Sequence, residues 1–175
     1  MTKADSETIA VRDRYRFNAG IRPFALTPDA DTVFAQLSNT HAIVDYNLSS
    51  RTVVGRIDLS VDDGVTEDDW YFEAPHHGLA MSPDERVLCV AGRASDYAAL
   101  VLVDGLGLET IIEVGDAPSW AAIDEAGELC VLPNTRSVDV STDSLSEQSE
   151  LARSPTGDYP KHITIGHDPE SVLAN

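Results

Sequence analysis

Lysine is almost missing from this chain of 175 residues: Lys3 and Lys161 stand against 30 acidic residues, and the formal net charge is -18. A field of that sign repels phosphate backbones and anionic headgroups, so neither nucleic acid nor a membrane surface is expected as a partner. Long apolar runs are missing too. No window approaches the roughly 18 residues of a membrane-spanning helix, and the N-terminal stretch MTKADSETIAVRDRY lacks the apolar core of a secretion signal. As written, the chain is expected in the cytoplasm. Its two cysteines lack Cys-x-x-Cys spacing and cannot make a disulfide framework. No nucleophile elbow, phosphate-binding glycine loop or paired-carboxylate motif stands out.

Hydrophobic residues nonetheless make up 42%, the composition of a folded protein, and the length suits one domain spanning 1–175. Its organisation is repetitive. The stretch RPFALTPDADTVFAQL at 22–37 returns as HGLAMSPDERVLCVAG at 77–92. Aligned on the apolar residue before the turn, four copies stand at Leu26, Met81, Ile123 and Ile165, spaced 55, 42 and 42 residues. Each anchor precedes a turn and a short apolar strand. Two units continue into HAIVD, closing at Asp45, and ALVLVD, closing at Asp104, then into RTVVGRIDL and LETIIEV. The segment EQSELARS near 150 suits the fourth slot of the third unit poorly. Four short strands per period of about 42 residues is the signature of a propeller blade, a sheet that must be covered on both faces by its neighbours.

The segment IRPFALTPDADTVFAQLSNTHAIVDYNLSSRTVVGRIDL resembles a repeat of the YVTN family of β-propellers. That family runs through a Pro-bearing inner strand, a Ser-Pro-Asp-Gly turn, a Tyr-Val-like strand, a Val-Ile-Asp strand and a Val-x-x-Ile strand. Ala30 and Glu85 replace the glycine after Asp, and the third unit has lost the Pro. The resemblance covers residues 20 to 175. It implies an all-β fold of four-stranded antiparallel blades, near 20–60, 74–115 and 117–154, with 5–18 and 159–175 as partial blades. Family members close rings of about seven blades, often outside the cytoplasm. Three blades with partial ends instead suggest an open arc, with a closed four-bladed ring as the alternative.

Propeller ligands gather where the inner strands begin, because side chains from every blade converge there. Four residues before the anchors lie Arg22, His77, Ser119 and Lys161, followed by Pro23, Gly78, Trp120 and His162. Arg22, His77, Trp120, Lys161 and His162 are the candidate rim, a cationic and aromatic patch suited to a small polar or anionic ligand. The plainer reading pairs Arg22 and Lys161 with nearby carboxylates. His76 and His77 point to opposite faces if extended, and His77 with His162 are too few for a metal site, so no metal or other cofactor is expected. Asp62, Asp63, Glu67, Asp68 and Asp69 lack the spacing of a calcium loop and read as a solvated loop pinned by Trp70, Tyr71 and Phe72. Cys89 and Cys130, placed in register with Phe34 and Leu173, are expected one sheet spacing apart, about 10 Å, beyond disulfide reach. Asp45 and Asp104 are expected to cap the turns after them.

These expectations describe a non-enzymatic binding or scaffold module, acting at the channel mouth or an exposed blade face on an unknown protein or small ligand, and able to form homo-oligomers. The alternatives are a propeller enzyme, such as a lactonase-like hydrolase or a dehydrogenase-associated propeller, and a truncated gene fragment without its own role. The scattered carboxylates and the preference for Arg over Lys suggest a high-salt cytoplasm, where salt screens self-repulsion. Thermal melts should then show a midpoint rising from low to molar salt; an unchanged or falling midpoint contradicts that source.

Overall fold

The computed structural model of the chain describes residues 1–70, 74–166 and, as backbone, 172–174. A two-stranded hairpin, β1 (Thr2–Ala4) and β2 (Val11–Arg14), precedes three four-stranded antiparallel sheets. The first contains β3 (Ile21–Leu26), β4 (Thr32–Leu37), β5 (Ala42–Asn47) and β6 (Thr52–Asp58). The second contains β7 (Gly78–Met81), β8 (Val87–Gly92), β9 (Tyr97–Leu102) and β10 (Leu108–Glu113). The third contains β11 (Ala122–Ile123), β12 (Leu129–Asn134), β13 (Asp139–Ser144) and β14 (Ser149–Pro155). A second hairpin, β15 (Ile163–Ile165) and β16 (Val172–Ala174), follows. Within each sheet the strands lie in chain order, and the inner strands β3, β7, β11 and β15 neighbour one another in succession. The two hairpins remain separate sheets, so the arc is open and the four-bladed ring is not formed. The segment near 150 does form the fourth strand: β14 pairs along β13 despite its polar sequence, because an outer strand needs backbone partners more than apolar side chains.

The repeated turn is built by side chains. Thr27 Oγ1 donates to Asp29 Oδ1 at 2.7 Å and accepts the Thr32 amide at 3.1 Å. Ser82 repeats this with Asp84 at 2.6 Å and the Val87 amide at 3.0 Å. In the third sheet the Asp124 carboxylate accepts the Glu128 and Leu129 amides. All three turns need a left-handed residue, and Ala30 (φ 56°), Glu85 (φ 61°) and Gly127 (φ 71°) supply it. The two side-chain-bearing residues adopt it at a cost of about 1 kcal/mol each.

The core lies between sheets, not within them. Phe34 and Ile43 of the first sheet meet Leu88, Val90 and Val101 of the second. On the second sheet's other face Cys89, Ala91 and Leu100 meet Cys130 and Leu132 of the third. Tyr15, beside β2, covers Val33, Val44 and Tyr46 on the first sheet's outer face. Strand alternation is what lets one strand serve two interfaces, with Leu88 and Val90 facing back and Cys89 and Ala91 facing forward.

Two expectations fail here. Cys89 and Cys130 form a disulfide, with Cα atoms 6.5 Å apart. Cys89 lies opposite Ala80, as Phe34 lies opposite Ala25. Cys130 instead lies opposite the anchor Ile123, the position of Leu88 opposite Met81. The one-residue difference turns Cys130 to the other face, so the two thiols point at each other across one interface lined by Ala91, Ala98 and Ala121. Asp45 does not end its strand: β5 continues to Asn47, whose Oδ1 accepts the Ser50 amide in the following turn. Among the described residues the Asp45 carboxyl has no hydrogen-bond partner for Oδ1, and burial raises its pKa.

The disulfide spans a sequence separation of 41 residues, for which chain-entropy arguments give about 4 kcal/mol. Replacing both cysteines with alanine should lower unfolding free energy by about 3–4 kcal/mol in chemical denaturation. A loss below about 1 kcal/mol would show that the bond does not constrain the unfolded chain.

Candidate functional site

The residues leading into successive inner strands are linked by short polar contacts. His77 Nδ1 lies 3.1 Å from the Ser119 carbonyl oxygen, and Ser119 Oγ donates to the Lys161 carbonyl at 3.0 Å. Both links span 42 residues, one repeat. Their closeness depends on Gly78, where a Cβ would stand 2.4 Å from the Trp120 carbonyl carbon. Any side chain there would push the second and third inner strands apart. The Trp120 and His162 rings meet edge-on with centroids 4.7 Å apart. Arg22, on β3, donates from Nε to Ser38 Oγ at 3.3 Å.

The charges converge on His77. Burial, together with the charges of Arg93, Lys161 and Arg22, holds its imidazole below the ordinary value, against the Ser119 hydrogen bond, which raises it. Arg22, His77 and Lys161 therefore share one electrostatic neighbourhood, and Trp120 and His162, which precede β11 and β15, form a second pair. Arg93 was not among the sequence candidates. It donates to the Ala117 carbonyl at 3.1 Å and to Thr135 Oγ1 at 3.2 Å, and is 8% exposed. The register held a signal for it, since Ser38, Arg93 and Thr135 each stand 12 residues after an anchor. In all three sheets the side chain of that residue forms hydrogen bonds.

His76 faces away from His77 and is not a second rim group. Its Nε2 lies 2.7 Å from the Tyr97 hydroxyl, which donates to the Ser60 carbonyl at 2.7 Å. The hydroxyl's one proton is thus committed, so Nε2 carries the imidazole proton and Nδ1 is a bare acceptor without a hydrogen-bond partner among the described residues. Burial pulls the His76 pKa down to about 3. Its carbonyl accepts from Gln36 Nε2, joining the first and second sheets. Among the described residues no group of three or more His, Cys, Asp or Glu side chains is placed to hold a metal ion. The acidic loop makes a single 3-10 turn at Glu67–Asp69, where Asp69 accepts from Thr66, and the Trp70 ring meets His41 edge-on at 4.7 Å. Tyr71, Phe72, His167 and the Leu173 side chain lie outside the described residues.

Another perturbed group lies beside the disulfide. Asp143 is directly opposite Cys130 and so shares its face; it is fully buried, and among the described residues neither carboxyl oxygen has a hydrogen-bond partner. Burial first, then the Glu150 charge, pushes its pKa up to about 7, with Arg153 pulling the other way.

No protein-family model matches the chain, and no curated protein matches it. Solved structures do. Hydrazine synthase of Kuenenia stuttgartiensis superposes with a TM-score of 0.73 at 17% identity, over 92% of this chain and 45% of that one. The WD40 repeats of RRP9 superpose with a TM-score of 0.68 at 14% identity, over 85% of this chain and 42% of theirs. The likeness is one of fold, that of β-propeller modules, and the chain spans less than half the length of either structure.

Because Asp143 holds its proton more tightly folded than unfolded, its contribution to stability is complete below about pH 4 and is lost as pH rises through about 7. Asp143→Asn should remove that part of the decline and raise stability at pH 8 by on the order of 4 kcal/mol. Parallel stability-pH curves for the two proteins would show that the carboxyl ionises as freely folded as unfolded.

Proposed function

We propose that this propeller segment is a non-enzymatic binding module of YVTN type that holds a small anionic ligand on the rim formed by Arg22, His77, Trp120, Lys161 and His162. The observation that carries the reading is the convergence of Arg22, Arg93 and Lys161 on the His77 ring in a chain of net charge -18. Groups of positive sign gathered in one neighbourhood attract an anion locally, against the negative long-range field of the protein. The neutral His77 offers a hydrogen-bonding edge, and the Trp120 and His162 rings offer an apolar wall. Arg93 serves as a fixed charge beneath the rim, oriented by Ala117 and Thr135.

A buried disulfide between neighbouring blades supports an oxidising compartment for this module rather than the cytoplasm, since such bonds form and persist there.

Calorimetric titration with citrate and with inorganic phosphate tests the site. Binding of at least one anion should weaken roughly tenfold with Arg22→Ala or Lys161→Ala, corresponding to about 1.4 kcal/mol each, and should weaken with added salt. No uptake of either anion, or uptake indifferent to both substitutions, would remove the anionic reading.

A further inference from the structure

Arg12, Arg56 and Arg153 pair with Asp5, Asp58 and Glu150, as expected where 30 acidic residues face 12 basic ones. Arg14 and Arg16 differ. Among the described residues neither side chain forms an ion pair.

Local packing brings these two arginines to a third. Tyr15, between them in sequence, is buried against Val33, Val44 and Tyr46 of the first sheet, and its neighbours are carried to that sheet with it. From the other side the turn between β5 and β6 presents Arg51. Its Nη2 donates to Asp13 Oδ1 at 2.6 Å and its Nη1 to the Arg14 carbonyl at 3.3 Å. Its guanidinium carbon lies 5.2 Å from the centre of the Tyr15 ring, within cation-π range. The Arg51 fork is thus held in place while its side chain remains 54% exposed.

Between these groups is a cavity of about 330 Å³ lined, among the described residues, by Arg14, Tyr15, Arg16, Tyr46 and Arg51. No carboxylate is in that lining, and neither is any residue of the rim. Three arginines against Asp13, which Arg51 engages, leave a formal charge of +2 in a chain of net -18.

We infer that this cavity is an anion site separate from the rim, and that its ligand is a small phosphate monoester. Such a group carries close to two negative charges at pH 7 and presents three acceptor oxygens, matching the local charge and the three guanidinium forks. Planar forks are suited to bidentate contact with those oxygens, whereas a carboxylate offers one charge and two oxygens. The volume is near the lower end for ligand pockets, about 300 Å³, so the organic part of the ester is small. A lipid headgroup carries the same chemistry, but the field of an acidic protein repels an anionic membrane, which favours the free ester.

Calorimetric titration of the 175-residue chain with phenyl phosphate should show saturable uptake below about 1 mM. Benzoate should bind at least about tenfold more weakly. Arg16→Gln and Arg51→Gln, both at exposed side chains, should each weaken phenyl phosphate at least about tenfold, with the far-UV circular dichroism unchanged. The site is overturned by no uptake, by benzoate binding as well as the ester, or by uptake that either substitution leaves within about twofold. Uptake lost with Lys161→Ala and unchanged with Arg16→Gln would put the ester on the rim instead. Binding to phosphatidic acid vesicles without binding of phenyl phosphate would identify a lipid and overturn the free-ester assignment.

Discussion

A sheet of four short strands has two apolar faces and no means of covering either, and that constraint organises this molecule. Each complete sheet presents one set of alternating residues backward and the other forward, as Leu88 and Val90 face the first sheet while Cys89 and Ala91 face the third. Burial is therefore a property of neighbours. The apolar area removed from water at each interface, at about 25 cal/mol per Å², is what holds the arc together, and the Cys89–Cys130 bond ties one interface covalently. Polar groups caught there are constrained in turn. His76 is neutral and spends its proton on Tyr97, and Asp143 retains its proton to about pH 7.

Successive interfaces fan the sheets so that only the inner strands come close. Gly78 permits backbone contact there, and the chain of contacts from His77 through Ser119 to Lys161 follows from that closeness. Arg22 and Lys161 act electrostatically on His77 because stacking brings the same step of successive repeats together, each of the three standing four residues before its anchor. The fold offers such a place in any propeller, but a fold alone assigns no chemistry to it.

Much of this was legible from residue order. The anchors, the Thr-Pro-Asp and Ser-Pro-Asp turns and the apolar runs located the sheets, and the residues leading into each inner strand followed from counting back from each anchor. Arg93 was equally accessible by counting forward. What misled was register. Cys130 was matched to Phe34 when its pairing makes it the counterpart of Leu88, and one residue in a strand separates facing a partner from facing away from it. β14 carries almost no apolar signal, because an outer strand is held through its backbone pairing to β13. Asp45 looked like a strand end because carboxylates favour turns, yet β5 runs two residues further.

The sequence by itself determined the repeat length, the turn chemistry and the alternation of apolar residues, since these are local properties of short strands and their connections. The tertiary structure alone decided which alternating face each cysteine joins, which carboxyls lack hydrogen-bond partners among the described residues, and which arginines line a common cavity. Those outcomes depend on the separation and angle between sheets, and such distances arise only when residues far apart in the chain compete for the same interior space.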